Sequence, residues 1–398
     1  MCVGIRPDRK ILGEEPYCSM VTALTRVSRF LFERSAPWLA GLSFLLGVGD
    51  ARAENIEARP INATELCNMY WTVDADWLPY CRTQRLGEIR PNIRRAVVVV
   101  HGKQRNAKRY FDAVTRLAAE EGHADDTLVI ALQFLTRADA VEHKLPATML
   151  YWDTDGWKHG QKALNGARLS SFEVLDRVLR RLIDQNPNLE EIVIAGHSAG
   201  AQFVQKHSLG RRLDTAGWKG QLRYLVTNPG TYMYLTGERP EGTSGCKDNY
   251  NSYRFGIEDI HLEYFLGTSP DSMWKHLAEY PLTILLGDED TDQEDGDNSC
   301  PALAQGKNRF ERGKNFFRLT LKELPARVPG ADTSRFQLRT VRYVGHDFER
   351  MWDSRCGRAL LFGNGECPST PTAPPHPPRA AFPIERPRAH RTQAEGSR

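Results

Sequence analysis

The chain has 398 residues, with 53 basic and 50 acidic side chains, a formal net charge of +3 and 40% apolar residues. That length holds one large α/β domain or two ordinary ones, and the apolar share suffices for a sizeable core. The balanced charge, with basic pairs such as Arg94-Arg95 and Arg211-Arg212 free of interleaved aromatics, argues against a nucleic-acid partner, and no apolar run reaches the roughly 18 residues of a spanning helix.

The N-terminus has the layout of an export signal. Arg26, Arg29 and Arg34 precede an apolar stretch from Ala36 to Val48, and Ala51-Arg52-Ala53 supplies a small-x-small cleavage pattern. Residues 1–19 fit no part of that layout, and a start at Met20 gives a signal of ordinary length. Residues 1–53 are therefore expected to be removed, leaving a secreted or periplasmic protein with no stable membrane insertion. The alternative is an amphipathic or buried helix that opens the domain. Beyond the signal lie Cys67, Cys81, Cys246, Cys300, Cys356 and Cys367. An even set in an exported chain predicts disulfides, although six cysteines allow 15 connectivities. Local spacing favours Cys67–Cys81 and Cys356–Cys367, leaving Cys246–Cys300. With no C-x-x-C pair, neither zinc nor redox chemistry is indicated.

Residues 54–90, with the first cysteine pair and Tyr70, Trp71, Trp77 and Tyr80, read as a disulfide-pinned lead-in covering one face of the domain. Ala96–Val100 is a continuous apolar run, as in a strand buried on both faces of a parallel sheet. Asn106–Ala119 suits a helix with Tyr110, Phe111, Val114 and Leu117 on one side. Thr127–Leu132 is a second buried strand, and Ser170–Ile183 a helix with Ser170 or Ser171 as N-cap. Further strands are expected at Ile192–Ile194, Arg223–Thr227, Leu282–Leu286 and Arg339–Val344, and a closing helix from Phe348 to about Leu361. Strands alternating with helices predict a mostly parallel central sheet with helices on both faces. Residues 229–280, rich in aromatics and glycines, read as a lid insertion over the C-terminal edge of the sheet, completing a catalytic domain at 91–367. From 368 to 398 the Pro-rich composition predicts a disordered tail.

The chemistry concentrates at Glu191–Gln202, EIVIAGHSAGAQ. An apolar strand runs into Gly196-His197-Ser198-Ala199-Gly200, and small residues then open a helix, the setting in which G-x-S-x-G presents a serine nucleophile. A serine needs a base to take its proton and an acid to orient that base, and in this arrangement they follow in the order Ser, Asp or Glu, His. His346, in Val344-Gly345-His346-Asp347, follows a strand and precedes a helix. The later His376 and His390 sit in the tail. Acid candidates are Asp288, Asp290 and Asp292, after the strand ending at Leu286. The acidic run through Glu294, Asp295 and Asp297 has no glycine where a calcium-binding EF-hand loop requires one, so it reads as a solvated loop and no metal is expected.

His101-Gly102, Gly196–Gly200, Gly287–Asp290 and Gly345-His346 together resemble the α/β-hydrolase superfamily over about residues 92–362. HGKQRNAKRYF at 101–111 further resembles exported relatives of polyester depolymerases and feruloyl esterases. The resemblance implies the α/β-hydrolase fold. It assigns Ser198 as nucleophile and His346 as base, and it favours Asp290 as acid because that residue lies three positions beyond the glycine ending its strand. It also implies an oxyanion hole from the backbone N–H groups of Ala199 and Lys103, with His101 holding its loop. No cofactor is expected, since the Gly-rich phosphate-loop spacing is absent. The expected activity is hydrolysis of a small or polymeric carboxylic ester. A peptidase or amidase on the same residues, or a non-catalytic binding protein, are the alternatives. Aromatics at Tyr151, Trp152, Trp157, Tyr232, Tyr234 and Tyr250–Phe255 are candidates for a substrate subsite or for core packing.

Overall fold

The computed structural model describes residues 59–86, 88–246, 249–293, 296–363 and 367. The expected signal at 1–53, the tail at 368–398, and Glu294 and Asp295 of the acidic run lie outside them. In chain order the elements are β1 Met69–Val73, β2 Asp76–Arg82, β3 Arg95–Val100, α1 Ala107–Glu120, β4 Thr127–Leu132, β5 Leu135–Thr136, α2 Arg137–Glu142 and β6 Tyr151–Trp152. They continue with α3 Ser171–Gln185, β7 Glu191–His197, α4 Ala199–Gly210, β8 Gln221–Thr227, α5 Pro270–Glu279, β9 Leu282–Gly287, α6 Cys300–Leu303, α7 Arg309–Arg327, β10 Phe336–Val341, α8 Phe348–Asp353 and α9 Arg355–Phe362.

Eight strands form one sheet in the order β1-β2-β4-β3-β7-β8-β9-β10. β1 and β2 run antiparallel at one edge, and every pairing from β4 to β10 is parallel. Alternation along the central strands divides the core in two. Ala96, Val98 and Val100 of β3 join Ile192 and Ile194 of β7 in a cluster with α3, α4, α5 and α7. Val97, Val99, Val193 and Ala195 face the other way, onto α1, α8 and α9. A period of two with both sides apolar is what a parallel sheet covered on both faces requires, and the fold class expected from the sequence is the one observed.

The topology sets the site. From β3 the chain crosses to β4 on one side, then returns to β7 on the other. The loops after β3 and β7 therefore diverge at a switch point, where the C-terminal edge of an open sheet forms a crevice. Val100 pairs with Gly196, so the His101-Gly102 loop and the Ser198 turn leave the sheet side by side.

Four local expectations need correction. Residues 69–82 extend the sheet edge as β1 and β2 instead of covering a face, with Tyr80 paired to Leu132. The last strand spans Phe336–Val341, not Arg339–Val344. Phe336 already pairs with Leu282, and beyond Val341 the chain turns at Tyr343, where φ is 59° and the backbone N–H bonds the Asp288 carboxylate at 2.6 Å. The closing helix is broken at Ser354, which is extended (φ −63°, ψ 153°) and caps α9 through its side chain; Gly357 packs against Met351 so closely that a Cβ would collide with its carbonyl. Finally, α7 was not expected. Its Asn308 side chain caps the helix by accepting from Glu311 N–H, but Pro325 and frequent cations obscure its apolar period.

The three cysteine pairs favoured by spacing are the pairs formed: Cys67–Cys81, Cys246–Cys300 and Cys356–Cys367. No helix among the described residues is long and apolar enough to cross a membrane.

Candidate active site

Ser198 occupies the turn between β7 and α4 with φ 57° and ψ −119°, a region that costs a non-glycine residue of order 1–3 kcal/mol. Two glycines let the backbone fold this tightly. A Cβ on Gly196 would strike the Gly200 carbonyl, and one on Gly200 would strike the Val100 and His101 carbonyls at the end of β3. The turn thrusts the serine hydroxyl out at the sheet edge.

The structure brings Ser198, His346 and Asp290 together. The Ser198 hydroxyl donates to His346 Nε2 at 2.8 Å, and His346 Nδ1–H donates to Asp290 Oδ2 at 2.8 Å. The two bonds fix one tautomer, with the proton on Nδ1 and the lone pair of Nε2 facing the hydroxyl. His346 is exposed and Ser198 half-buried, while Asp290 is 1% exposed. Of the other candidate acids, Asp288 accepts from Tyr343 N–H and so holds the loop carrying His346. Asp292 is exposed on the loop surface.

The two backbone segments expected to supply oxyanion donors both lie beside the Ser198 turn. Ala199 is the first residue of α4, so its N–H has no carbonyl one turn back. The His101–Lys103 loop passes directly over the turn: a Cβ built on Gly102 would lie 3.7 Å from Ser198 Cβ. His101 is fully buried, its Nδ1–H donating to the Gly102 carbonyl at 2.9 Å and its Nε2 accepting from Phe134 N–H at 3.0 Å. Burial pushes its pKa down to about 4, and its ring packs on Trp157 at 4.7 Å between centroids. Holding a histidine neutral has a consequence for stability. The unfolded chain binds a proton below about pH 6.5 and the folded chain does not. Stability from this group is complete above about 6.5 and falls as pH drops towards 4. Equilibrium denaturation at pH 7 and pH 5 is expected to show that loss, with a shallower dependence in His101→Gln; equal pH dependence in the two proteins would contradict it.

Several residues that support the site were not legible in the sequence. Arg309, 6% exposed at the start of α7, donates from Nη1 to Asp290 Oδ1 at 3.2 Å, on the oxygen that His346 does not use. Asn228, at φ 47° after β8, bonds both neighbouring loops. Its Oδ1 accepts from Gly287 N–H at 2.9 Å and its Nδ2 donates to the Gly345 carbonyl at 3.2 Å, so one amide ties the Asp290 turn to the His346 turn. His197 packs beside His346 at 4.6 Å between ring centroids, and its Nδ1 meets the Tyr110 hydroxyl at 3.2 Å. The signals available were faint: an N-x-x-E helix start before Arg309, and an Asn-Pro-Gly strand end at Asn228.

The aromatics offered as subsite candidates mostly serve the core. Trp152, Trp157, Tyr232 and Tyr234 are at most 2% exposed, and Tyr232 stacks on Phe316 at 4.5 Å. Among the described residues no three His, Cys, Asp or Glu side chains converge as a metal ion would need.

No protein-family model matches the chain, and no curated protein sequence matches it. Its fold is similar to that of the poly(3-hydroxybutyrate) depolymerase LpqC of Bordetella parapertussis, with a TM-score of 0.51 and 23% identity over 74% of this chain and 86% of that one. It is also similar to poly(aspartic acid) hydrolase-1 of Sphingomonas sp. KT-1, with a TM-score of 0.53 and 21% identity over 76% of this chain and 99% of that one. With its strand order, its serine turn and these likenesses together, the chain has the α/β-hydrolase fold.

Proposed function

We propose that the protein is an exported serine hydrolase that cleaves carboxylic esters. The observation that carries this reading is the pair of 2.8 Å hydrogen bonds joining Ser198 to His346 and His346 to Asp290. In the proposed reaction His346 Nε2 takes the hydroxyl proton as Ser198 Oγ attacks the ester carbonyl. Asp290, held by Arg309, stabilises the imidazolium, and the N–H groups of Ala199 and Lys103 receive the oxyanion. Collapse of the tetrahedral intermediate expels the alcohol, protonated by His346, and leaves an acyl group on Ser198. Water, deprotonated by the same imidazole, then releases the acid.

The exposure of His346 supports a bulky or polymeric substrate. An ester is preferred to an amide because an alkoxide leaves more readily than an unprotonated amide nitrogen, although a poly(aspartic acid) hydrolase with a similar fold keeps amide cleavage as the second reading. Three disulfides support an oxidising compartment. The test is labelling with a fluorophosphonate, which reacts with activated serines. Residues 54–398 are expected to take one label that disappears in Ser198→Ala. Folded protein that takes no label would remove the basis of the hydrolase reading and leave a binding role.

A further inference from the structure

α4 carries one stripe that begins at the active site and ends at a buried cation. Ser198, Gln202 and Lys206 are spaced four residues apart and so share a face of the helix. Eight residues of helix place Lys206 about 12 Å from the nucleophile along the axis. Lys206 is 0% exposed. Its ammonium has a 3.5 Å contact to the Gln202 carbonyl, an oxygen that also accepts the helical N–H of Lys206 itself. An ammonium so enclosed is costly without an anion beside it.

Its surroundings make the cost larger. The single helical turn Gly156–His159 packs against α4, bringing up Lys158 and His159, and the segment between β8 and α5 adds Arg254. Burial first, then Lys158 and Arg254, depress the Lys206 pKa well below its ordinary value, with Asp155 the one acid opposing them. His159 is 4% exposed. Arg254 Nη1 lies 3.4 Å from its Nε2, and a guanidinium can only donate, so Nε2 is the acceptor and Nδ1 carries the proton. That buried Nδ1 has no hydrogen-bond partner. The cluster already binds one carboxylate in the way expected: Asp155 is ion-paired with Lys158 and accepts from Arg254 at 3.0 Å. Arg254 and Asp155 are about two-fifths exposed, so the cluster opens to solvent at that rim.

We propose that Lys206, His159 and Arg254 form a carboxylate-binding subsite, seated along α4 from Ser198, that takes a free carboxylate borne by the substrate. The Lys206 ammonium, whose contact is the long one to the Gln202 carbonyl, and the unpartnered His159 Nδ1–H supply donors, and Arg254 supplies the rim. The substrate class is then an ester whose acyl portion carries a second, ionised acid group at a distance from the scissile bond. This rests on the proposed hydrolase reading for its catalytic arm and stands apart from it for its binding arm.

The catalytic arm compares 4-nitrophenyl half-esters of linear dicarboxylic acids, succinic to sebacic, with neutral esters of matched length. The ratio of kcat/KM for acidic over neutral esters is expected to peak at one chain length. Lys206→Met and Arg254→Gln are expected to lower that ratio about tenfold or more, as loss of a charge-assisted bond would. The binding arm titrates Ser198→Ala protein with suberate by calorimetry, expecting saturable binding that Arg254→Gln weakens by a similar factor. Near-UV circular dichroism identifies any variant that fails to fold, and Arg254, at the rim, is the safer of the two. An unchanged ratio in folded variants, or no saturable suberate binding, overturns the subsite. Wild-type protein that hydrolyses neither ester and takes no fluorophosphonate defeats the hydrolase reading instead, while the calorimetry still decides the subsite.

Discussion

Replacing His346 with alanine is expected to lower kcat on an activated ester by about 10⁴- to 10⁶-fold, and adding Ser198→Ala to that variant should cost almost nothing more. In the proposed reaction the two side chains act on one proton. Ser198 Oγ is a useful nucleophile only while Nε2, 2.8 Å away, can receive its hydrogen, and Nε2 presents a lone pair only because Nδ1–H is committed to Asp290. Once either member is gone the other has no reaction to assist. In the proposed mechanism the rate that remains comes from substrate binding and from the Ala199 and Lys103 N–H groups, which neither substitution touches. Burst and steady-state kinetics on 4-nitrophenyl acetate measure this directly. Losses that multiply in the double variant, or a His346→Ala loss below tenfold, would mean that the two residues do not work as a unit and that another base serves Ser198.

How much of this was readable in advance follows from where each constraint originates. Gly196, Ser198 and Gly200 were legible because a strained turn excludes a Cβ whatever the rest of the chain does. His346 and Asp290 were legible because each follows a strand of the parallel sheet, and parallel strands deliver their C-terminal ends to one edge. The interior strands β3, β4, β7, β8 and β9 carry apolar runs that admit no other placement. By contrast β10 borders the sheet, and its half-buried residues gave no sharp limits; the Val341-Arg342-Tyr343-Val344 tract looked extended, yet it turns. The β1–β2 hairpin looked like a cover because its aromatics do not reveal which backbone they pair with. Arg309 and Asn228 were invisible for a different reason. Their importance lies in partners 19 and 117 residues away, and a single polar residue in a loop carries no mark of the loop it will meet.

The same long-range logic predicts the largest effect on stability. Arg105→Met is expected to destabilise the fold by about 3–5 kcal/mol, the usual result of breaking a buried ion pair on one side. Arg105 is fully buried at φ 58°. Its Nε donates to Asp139 Oδ2 at 2.8 Å and its Nη2 to Oδ1 at 3.2 Å. It also bonds the Arg59 and Lys103 carbonyls. Asp139 in turn accepts from Ile61 N–H at 2.8 Å and from Thr136 N–H at 2.7 Å. One pair therefore fastens the lead-in to the loop that carries the proposed oxyanion donor. Methionine fills much of the space but leaves the Asp139 carboxylate buried without its cation. Arg105→Met/Asp139→Asn should recover part of the loss, because no uncompensated charge then remains and the amide oxygen can still accept from a loop N–H. The pH dependence separates this account from simple loss of packing. Burial raises the Asp139 pKa, but the hydrogen bonds and charge of Arg105, with the Thr136 and Ile61 N–H groups, outweigh it and hold the carboxyl below its ordinary value. A carboxyl depressed in the folded state contributes stability that is complete above the unfolded pKa of about 3.9 and is lost as pH falls through the lower folded value. In Arg105→Met the burial contribution is no longer opposed by the guanidinium, so protonation of Asp139 should relieve the variant on acidification. The gap between wild type and variant is therefore expected to narrow as pH falls towards 4 in urea denaturation. A gap independent of pH, with no recovery in the double variant, would make Arg105 a packing residue and not the ionic fastener of the loop.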